Sequence, residues 1–311
     1  MTEKSRATKI PLIFPYLLLA FMLFILFRAQ ECRADLKNGL RLCAENIIPS
    51  LFPYLVLSEL FVSSLSFSSH KNFFNRAFSR LFRLHSSAKS VLLIGTICGF
   101  PVGARIAALL YQEGLLDKRE AETLCAYANH TGPAFVIGGV GASLFGSVQI
   151  GFLFFLSQSC AGITCLLLSS FFRPKPKETL QISARHTSVT FVGAVRSSSI
   201  AIVNVCGFVL FFSLIAGIVC RAFSSFSLPF SAFLEVTNAC KQASLHFCTS
   251  PKTACLFACF AITFGGLCAG MQSALYMKES GLSFASYLPR KLLEGFLSLF
   301  FFFLLTETVG I

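Results

Sequence analysis

The stretch GFPVGAR, positions 99–105, sets two glycines, a proline and an arginine inside an apolar run. Gly99 and Gly103 let the backbone turn sharply and approach a ligand or another chain. Pro101 lacks an N–H donor and breaks a helical ladder. A helix restarting near Val102 would aim free N–H groups at the turn, and such an end attracts anions. Arg105 adds a planar fork suited to carboxylates. An ionisable residue at membrane depth is a functional candidate; the alternative is that Arg105 snorkels to an interface.

Polar interruptions recur. AYANHTGPAFVIGGVG, 126–141, carries Asn129, His130, Thr131, Gly132 and Pro133 in an apolar segment, where an unwound turn would free backbone groups for a polar ligand or ion. LEVTNACKQ, 234–242, offers Glu235, Thr237 and Asn238, and FGGLCAGMQ, 264–272, offers Gly265, Gly266, Gly270 and Gln272. Glu59 and Glu294 are lone acids near or within apolar segments and are candidates for sensing a coupling proton. No partner cluster of the kind zinc or general-base chemistry uses is visible for His130 in the sequence. No nucleophile elbow, P-loop, HExxH or paired-carboxylate motif occurs, so the expectation is a protein that is not an enzyme and uses no metal or cofactor.

The elements that position these residues belong to a membrane. Hydrophobic residues make up 55% of the chain and charged residues 13%, about half the charged share of an ordinary soluble domain. The net charge of +12 would suggest nucleic acid in a soluble protein, but here the excess sits in short loops between apolar segments, where it encodes orientation. No nucleic-acid partner is expected. The thirteen cysteines include no CxxC pair and read as small buried hydrophobes. The first residues, with Lys4, Arg6 and Lys9 before an apolar run, read as a retained helix, because no small-x-small cleavage site follows.

The strongest apolar spans are 10–28, 46–64, 149–172, 198–220 and 285–306; 90–111, 124–146 and 253–277 are interrupted, and 229–250 is short and mixed. The basic stretches 70–89 and 173–196 should be cytoplasmic, the first either as an amphipathic helix on the membrane surface or as a plain loop. The polar stretch 112–123 reads as cytoplasmic too. Segment 90–111 then enters and leaves on one side, as a re-entrant hairpin bent at GFPVG. Irregular backbone of that kind is tolerated only when buried or lining a cavity. Threaded this way, each half reads crossing, hairpin, broken crossing, crossing, in opposite directions. The expected fold is all-α and polytopic, with two inverted repeats, re-entrant helical hairpins and broken crossing helices. The divisions are an N-terminal helix over 1–30, a first repeat over 31–172, a basic linker over 173–196 and a second repeat over 197–311. Whether 229–250 is a hairpin or a crossing stays open. A rival alignment matches Gly99, Gly103 and Gly114 with Gly266, Gly270 and Gly281 and pairs different elements.

PSLFPYLVLSELFVS (49–63), the block from Gly99 to Gly146, and FLEVTNACK (233–241) resemble the sporulation integral membrane proteins of the YlbJ type. These belong to the nucleoside recognition or Gate domain group, which is distantly similar to the concentrative nucleoside transporters. The resemblance covers roughly residues 31 to 300. It implies inverted halves, a midplane site, and passage of dipicolinic acid across the outer forespore membrane during endospore formation. It also implies site roles for Gly99, Pro101, Gly103, Arg105, Asn129, Thr131, Gly132, Pro133, Glu235 and Thr237. Asn238 and Gln272 join them from the residue reading alone. The expected partners are a small anionic substrate and the lipid bilayer, with monomer or homo-oligomer left open. A nucleoside-type carrier and a non-transporting scaffold are the alternatives.

The threading has a direct check. Single cysteines placed in 70–89 and in 173–196 of a cysteine-depleted chain should resist a membrane-impermeant thiol reagent added outside. Strong labelling of both would overturn it.

Overall fold

The computed structural model describes residues 13–64, 73–173, 189–246 and 250–309, and the described residues contain helix and no strand. The N-terminal Lys4, Arg6 and Lys9, the start of the basic stretch at 70–89 and most of the linker at 173–196 lie outside the described residues. The polarity pattern is that of a protein in lipid. Phe, Leu, Ile and Val side chains cover much of the outside, while Asn129, His130, Gln158, Lys291 and Glu294 are buried. So much exposed apolar surface on a soluble protein would aggregate.

The first helix, α1 (Phe14–Phe27), buries no residue, as a helix apolar all round does when it faces lipid. The backbone bends at Arg28 into α2 (Ala29–Leu42), a π-helical turn at Cys43–Ile47, and α3 (Ile48–Ser64). The sequence reading began a span at 46. The structure instead runs one unbroken helical rod from Ala29, because α2 is amphipathic and gains a partner. That partner is α9 (Phe191–Ala222), about 48 Å long at 1.5 Å per residue. The two run antiparallel. At one end Arg221 donates to both Asp35 oxygens (2.9 and 2.6 Å); in the middle Gly39 lies against Ser213; at the other end Arg105 bridges Glu59 and Ser197.

The interrupted elements pack against these rods. The basic stretch forms α4 (Phe73–Phe82), with Phe78 and Phe82 packed inward, so the amphipathic-helix alternative is the one realised over that span. The first hairpin is α5 (Ala88–Cys98) and α6 (Val102–Gln112), joined by the Gly99–Pro101 turn; the Phe100–Pro101 peptide is cis. Next comes α7 (Lys118–Tyr127), opened by a capping box in which Asp117 and Glu120 satisfy each other's N–H groups. Burial holds the Glu120 carboxyl above its usual range, against the pull of its bonds from the His85 and Asp117 N–H groups. After an unwound run at 129–132 the chain continues as a π-helical segment, Ala134–Ala142, and α8 (Val148–Phe171).

The second half repeats this order. The stretch left open at 229–250 is a hairpin over its described part: α10 (Ser227–Leu234) and α11 (Val236–His246) pack on each other around Glu235. A broken crossing follows, α12 (Pro251–Phe264) and α13 (Gly266–Glu279), interrupted at left-handed Gly265 (φ 77°). The chain closes with α14 (Tyr287–Val309). Helices α8 and α14 pack antiparallel: Leu153 and Phe154 cluster with Phe302, whereas Cys165 and Leu166 cluster with Tyr287. This element order favours the hairpin-to-hairpin correspondence over the rival glycine alignment, although Gly99, Gly114, Gly266 and Gly281 all have positive φ.

Close backbone contact decides which glycines the hairpin needs. A Cβ on Gly95 would overlap the Ala128 carbonyl oxygen; one on Gly103 would lie 2.6 Å from that oxygen; one on Gly99 would lie 2.5 Å from the Gly132 nitrogen at φ +78°. Gly132 is less constrained, with its nearest atom, the Cys98 oxygen, at 3.2 Å. Gly95→Ala, Gly99→Ala and Gly103→Ala should each lower the thermal midpoint of the detergent-solubilised protein, by the equivalent of about 1–3 kcal/mol for overpacking. Gly138→Ala, with no atom within 4 Å of its Cβ, should leave it unchanged. Equal midpoints for all of them would refute the close-packed hairpin.

Candidate functional site

The interruptions converge on one cavity. A cavity of about 750 Å³, the open space at its mouth included, is bordered by the first hairpin turn (Cys98, Phe100), the first broken crossing (Thr131 to Phe135), the second hairpin turn (Glu235 to Thr237) and the second broken crossing (Gly265, Cys268, Ala269, Gln272). The rods close the sides with Ser50, Leu51 and Tyr54 from α3 and Val205 and Val209 from α9. The wall is therefore part apolar slot and part polar edge.

Each break leaves backbone groups that a dry interior must satisfy. In the first broken crossing the work falls to side chains. Gln158 of α8 takes Thr131 in both directions: its Nε2 donates to the Thr131 carbonyl (2.7 Å) and its Oε1 accepts from the Thr131 N–H (3.3 Å). The Thr131 hydroxyl donates to the Ile262 carbonyl (2.6 Å), which ties the two broken crossings together. Lys291 Nζ donates to the Asn129 carbonyl (3.3 Å). Asn129 Nδ2 donates to Ser273 (2.8 Å), and its Oδ1 is buried without a hydrogen bond. In the second hairpin turn Glu235 accepts from the N–H groups of Thr237 and Asn238, both at 2.8 Å, and so caps its own helix α11. No side chain caps the π-helical segment that begins at Ala134, or α13. Ala134, Phe135, Cys268 and Ala269 at those helix starts line the cavity, so two positive helix ends border it.

The structure brings together Thr131, Gly132, Pro133, Glu235, Thr237 and Gln272 as wall residues. Gly99 and Pro101 form the turn that presents Phe100, and Gly103 lets the hairpin legs close behind it. Asn129 sits behind the wall and holds it. Asn238 faces a second, more polar cavity with Asp35, Arg41, Lys241 and Gln242, and Thr237 borders both cavities. Arg105 is placed elsewhere than the reading expected: its Nη2 lies 2.7 Å from Glu59 and 2.6 Å from Ser197, and it does not line the main cavity. The guanidinium and Glu59, two residues singled out separately, are partners in a strap between α6, α3 and α9. Glu294 pairs with Lys291 (2.7 Å) and lies 3.1 Å from His130 Nε2, in full burial.

Sequence reading missed Gln158, Ser273, Tyr287 and Lys291. For Lys291 there was a signal: a lysine three residues before Glu294 in an apolar span is an i,i+3 ion pair waiting to be read. Gln158 carried none, since a lone glutamine between serines in an apolar helix reads as interfacial.

Gln158→Leu should leave both Thr131 backbone groups unpaired, at about 1–3 kcal/mol for each buried group. Thr131→Val and Thr131→Ala should both lose the bond to the Ile262 carbonyl, whereas Thr131→Ser, which keeps the hydroxyl, should retain most of the stability. Thermal midpoints in detergent would check this, and a Gln158→Leu protein as stable as the parent would refute the clamp.

No family model and no solved structure matches the chain. It is similar to the sporulation integral membrane protein YlbJ of Bacillus subtilis (strain 168), with 25% identity over 93% of this chain and 82% of that protein. The likeness spans both halves, and the apolar helices support a multi-pass integral membrane protein.

Proposed function

We propose that the chain is a carrier for a small planar dicarboxylate, dipicolinic acid, across the outer forespore membrane. The observation that carries this reading is the meeting of both hairpin turns and both broken crossings at one cavity. A scaffold has no need of such a cavity, and interrupted helices around a central site are how many secondary transporters hold substrate. Phe100, Phe135, Val205 and Val209 offer faces for a flat ring. The uncapped starts at Ala134 and Gly266, with the hydroxyls of Thr131 and Thr237, offer partners for carboxylates. With Arg105 engaged by Glu59, these helix ends and hydroxyls take the role first given to the guanidinium.

A nucleoside-type carrier is the second reading. It is favoured by Glu235 and Gln272 in the wall, which suit a neutral substrate rich in hydroxyls.

Uptake into liposomes holding the purified protein separates them. Labelled dipicolinate should accumulate and uridine should not. Thr237→Val should slow dipicolinate uptake by roughly two- to tenfold, the value of one hydrogen bond. Uridine uptake without dipicolinate uptake would move the assignment to the nucleoside reading, and movement of neither would leave the scaffold.

A further inference from the structure

Behind the cavity wall lie ionisable side chains that the substrate reading does not use. Lys291 and Glu294 have no solvent exposure, and His130 is 1% exposed. Lys291 Nζ and Glu294 Oε2 are 2.7 Å apart, so their charges cancel. His130 Nε2 lies 3.1 Å from Glu294 Oε1, yet neither atom has an aligned hydrogen bond. The other ring nitrogen, Nδ1, is 3.4 Å from the Thr96 hydroxyl of α5. The ring rests on Gly162 of α8, where a Cβ would overlap it. Other titratable groups near the cluster are Tyr127 at the end of α7, Cys165 on α8, and Tyr287 and Arg290 on α14; α13 contributes Ser273. The cluster touches the cavity wall at two points. His130 is bonded in sequence to Thr131, and Lys291 Nζ sits 5.3 Å from the centre of the Phe100 ring.

We propose that His130 takes up the proton that accompanies an anion into the cavity, beside the buried Lys291–Glu294 pair. This rests on the anionic-substrate reading. With neutral imidazole, the Lys291–Glu294 pair is electrically balanced. A proton on His130 puts a positive charge 3.1 Å from Glu294 Oε1 and leaves the cluster with one positive charge in excess. An unbalanced buried charge is costly, and an anion on the other side of the Thr131–Phe100 wall offsets it. Proton and anion therefore favour each other's binding, and the coupling is reciprocal. Imidazole is the side chain that changes charge in the neutral range.

The test uses the full chain in detergent with dipicolinate as probe, titrated by calorimetry in two buffers of different ionisation enthalpy. About one proton should be taken up per anion bound, and affinity should fall about tenfold per pH unit across the range where imidazole is neutral. His130→Gln should bind with no proton uptake and no such pH dependence. Thr96→Val, which keeps the imidazole but frees Nδ1, should shift the pH midpoint and keep the uptake; a histidine that merely fills space would show no shift. Wild-type binding without proton uptake would overturn the proposal, and so would full uptake by His130→Gln. Should His130→Gln fail to fold, the wild-type buffer comparison decides alone. Absence of any dipicolinate binding by the wild-type protein would instead refute the substrate reading and take this inference with it.

Discussion

Among the described residues, each helix interruption leaves backbone N–H and C=O groups with no intrahelical partner, and lipid cannot receive them. That constraint organises the rest. Orphaned backbone groups cost about 1–3 kcal/mol each when left unpaired, so a break survives only where something is built to meet it. Gln158 lies opposite Thr131, Lys291 opposite the Asn129 carbonyl, and the Thr131 hydroxyl opposite Ile262, an orphan carbonyl near the end of α12. The cavity exists because the breaks that need such partners are gathered in one place.

The same constraint explains why polar side chains are gathered inside while the outside is apolar. On α14, Lys291, Glu294, Ser298, Phe302 and Thr306 are buried, while Leu292, Leu293, Phe296, Phe300 and Phe303 face out. The buried residues recur at helical spacing, so α14 is an amphipathic helix with its polar stripe turned inward. A charged residue on this stripe survives by pairing, as Lys291 does with Glu294. Arg105 follows the same rule on α6, where Glu59 and Ser197 receive it. These pairs fix which faces meet. Their net contribution to stability is small, because taking two charges out of water offsets most of their attraction.

The breaks themselves were legible, because glycine, proline and clustered polar residues interrupt an apolar pattern in a way few other causes produce. Gly99 to Pro101, Asn129 to Pro133, Glu235 and Gly265 all fall where helices stop. The clamps were not legible. Gln158 and Ser273 matter through residues more than twenty positions away in sequence, and periodicity carries no information on such distances. The 29–64 rod was missed for a related reason: α2 is too polar to read as a span, and only its match to α9, with Asp35 on Arg221, makes it continuous with α3. Arg105 shows the limit most sharply. Its place in the turn-to-helix motif was read correctly, but its direction depends on Glu59 and Ser197, which approach from two other helices.

The two halves satisfy the constraint differently, and the difference has an energetic consequence. In the first half the unwound run at 129–132 is held from α8, α12, α13 and α14. In the second half Glu235 caps the helix that follows it, so its hydrogen bonds stay inside the turn. Moving the first break relative to its neighbours would sever several bonds to other helices, each worth about 0.5–1.5 kcal/mol or more where charged. Moving the second hairpin as a unit leaves its Glu235 cap intact. Thr237, in that self-contained turn, stands between the main cavity and the polar one beside α2. The partition between the two spaces is thus built from the element whose internal bonds survive displacement, while the opposite wall is bound to four helices.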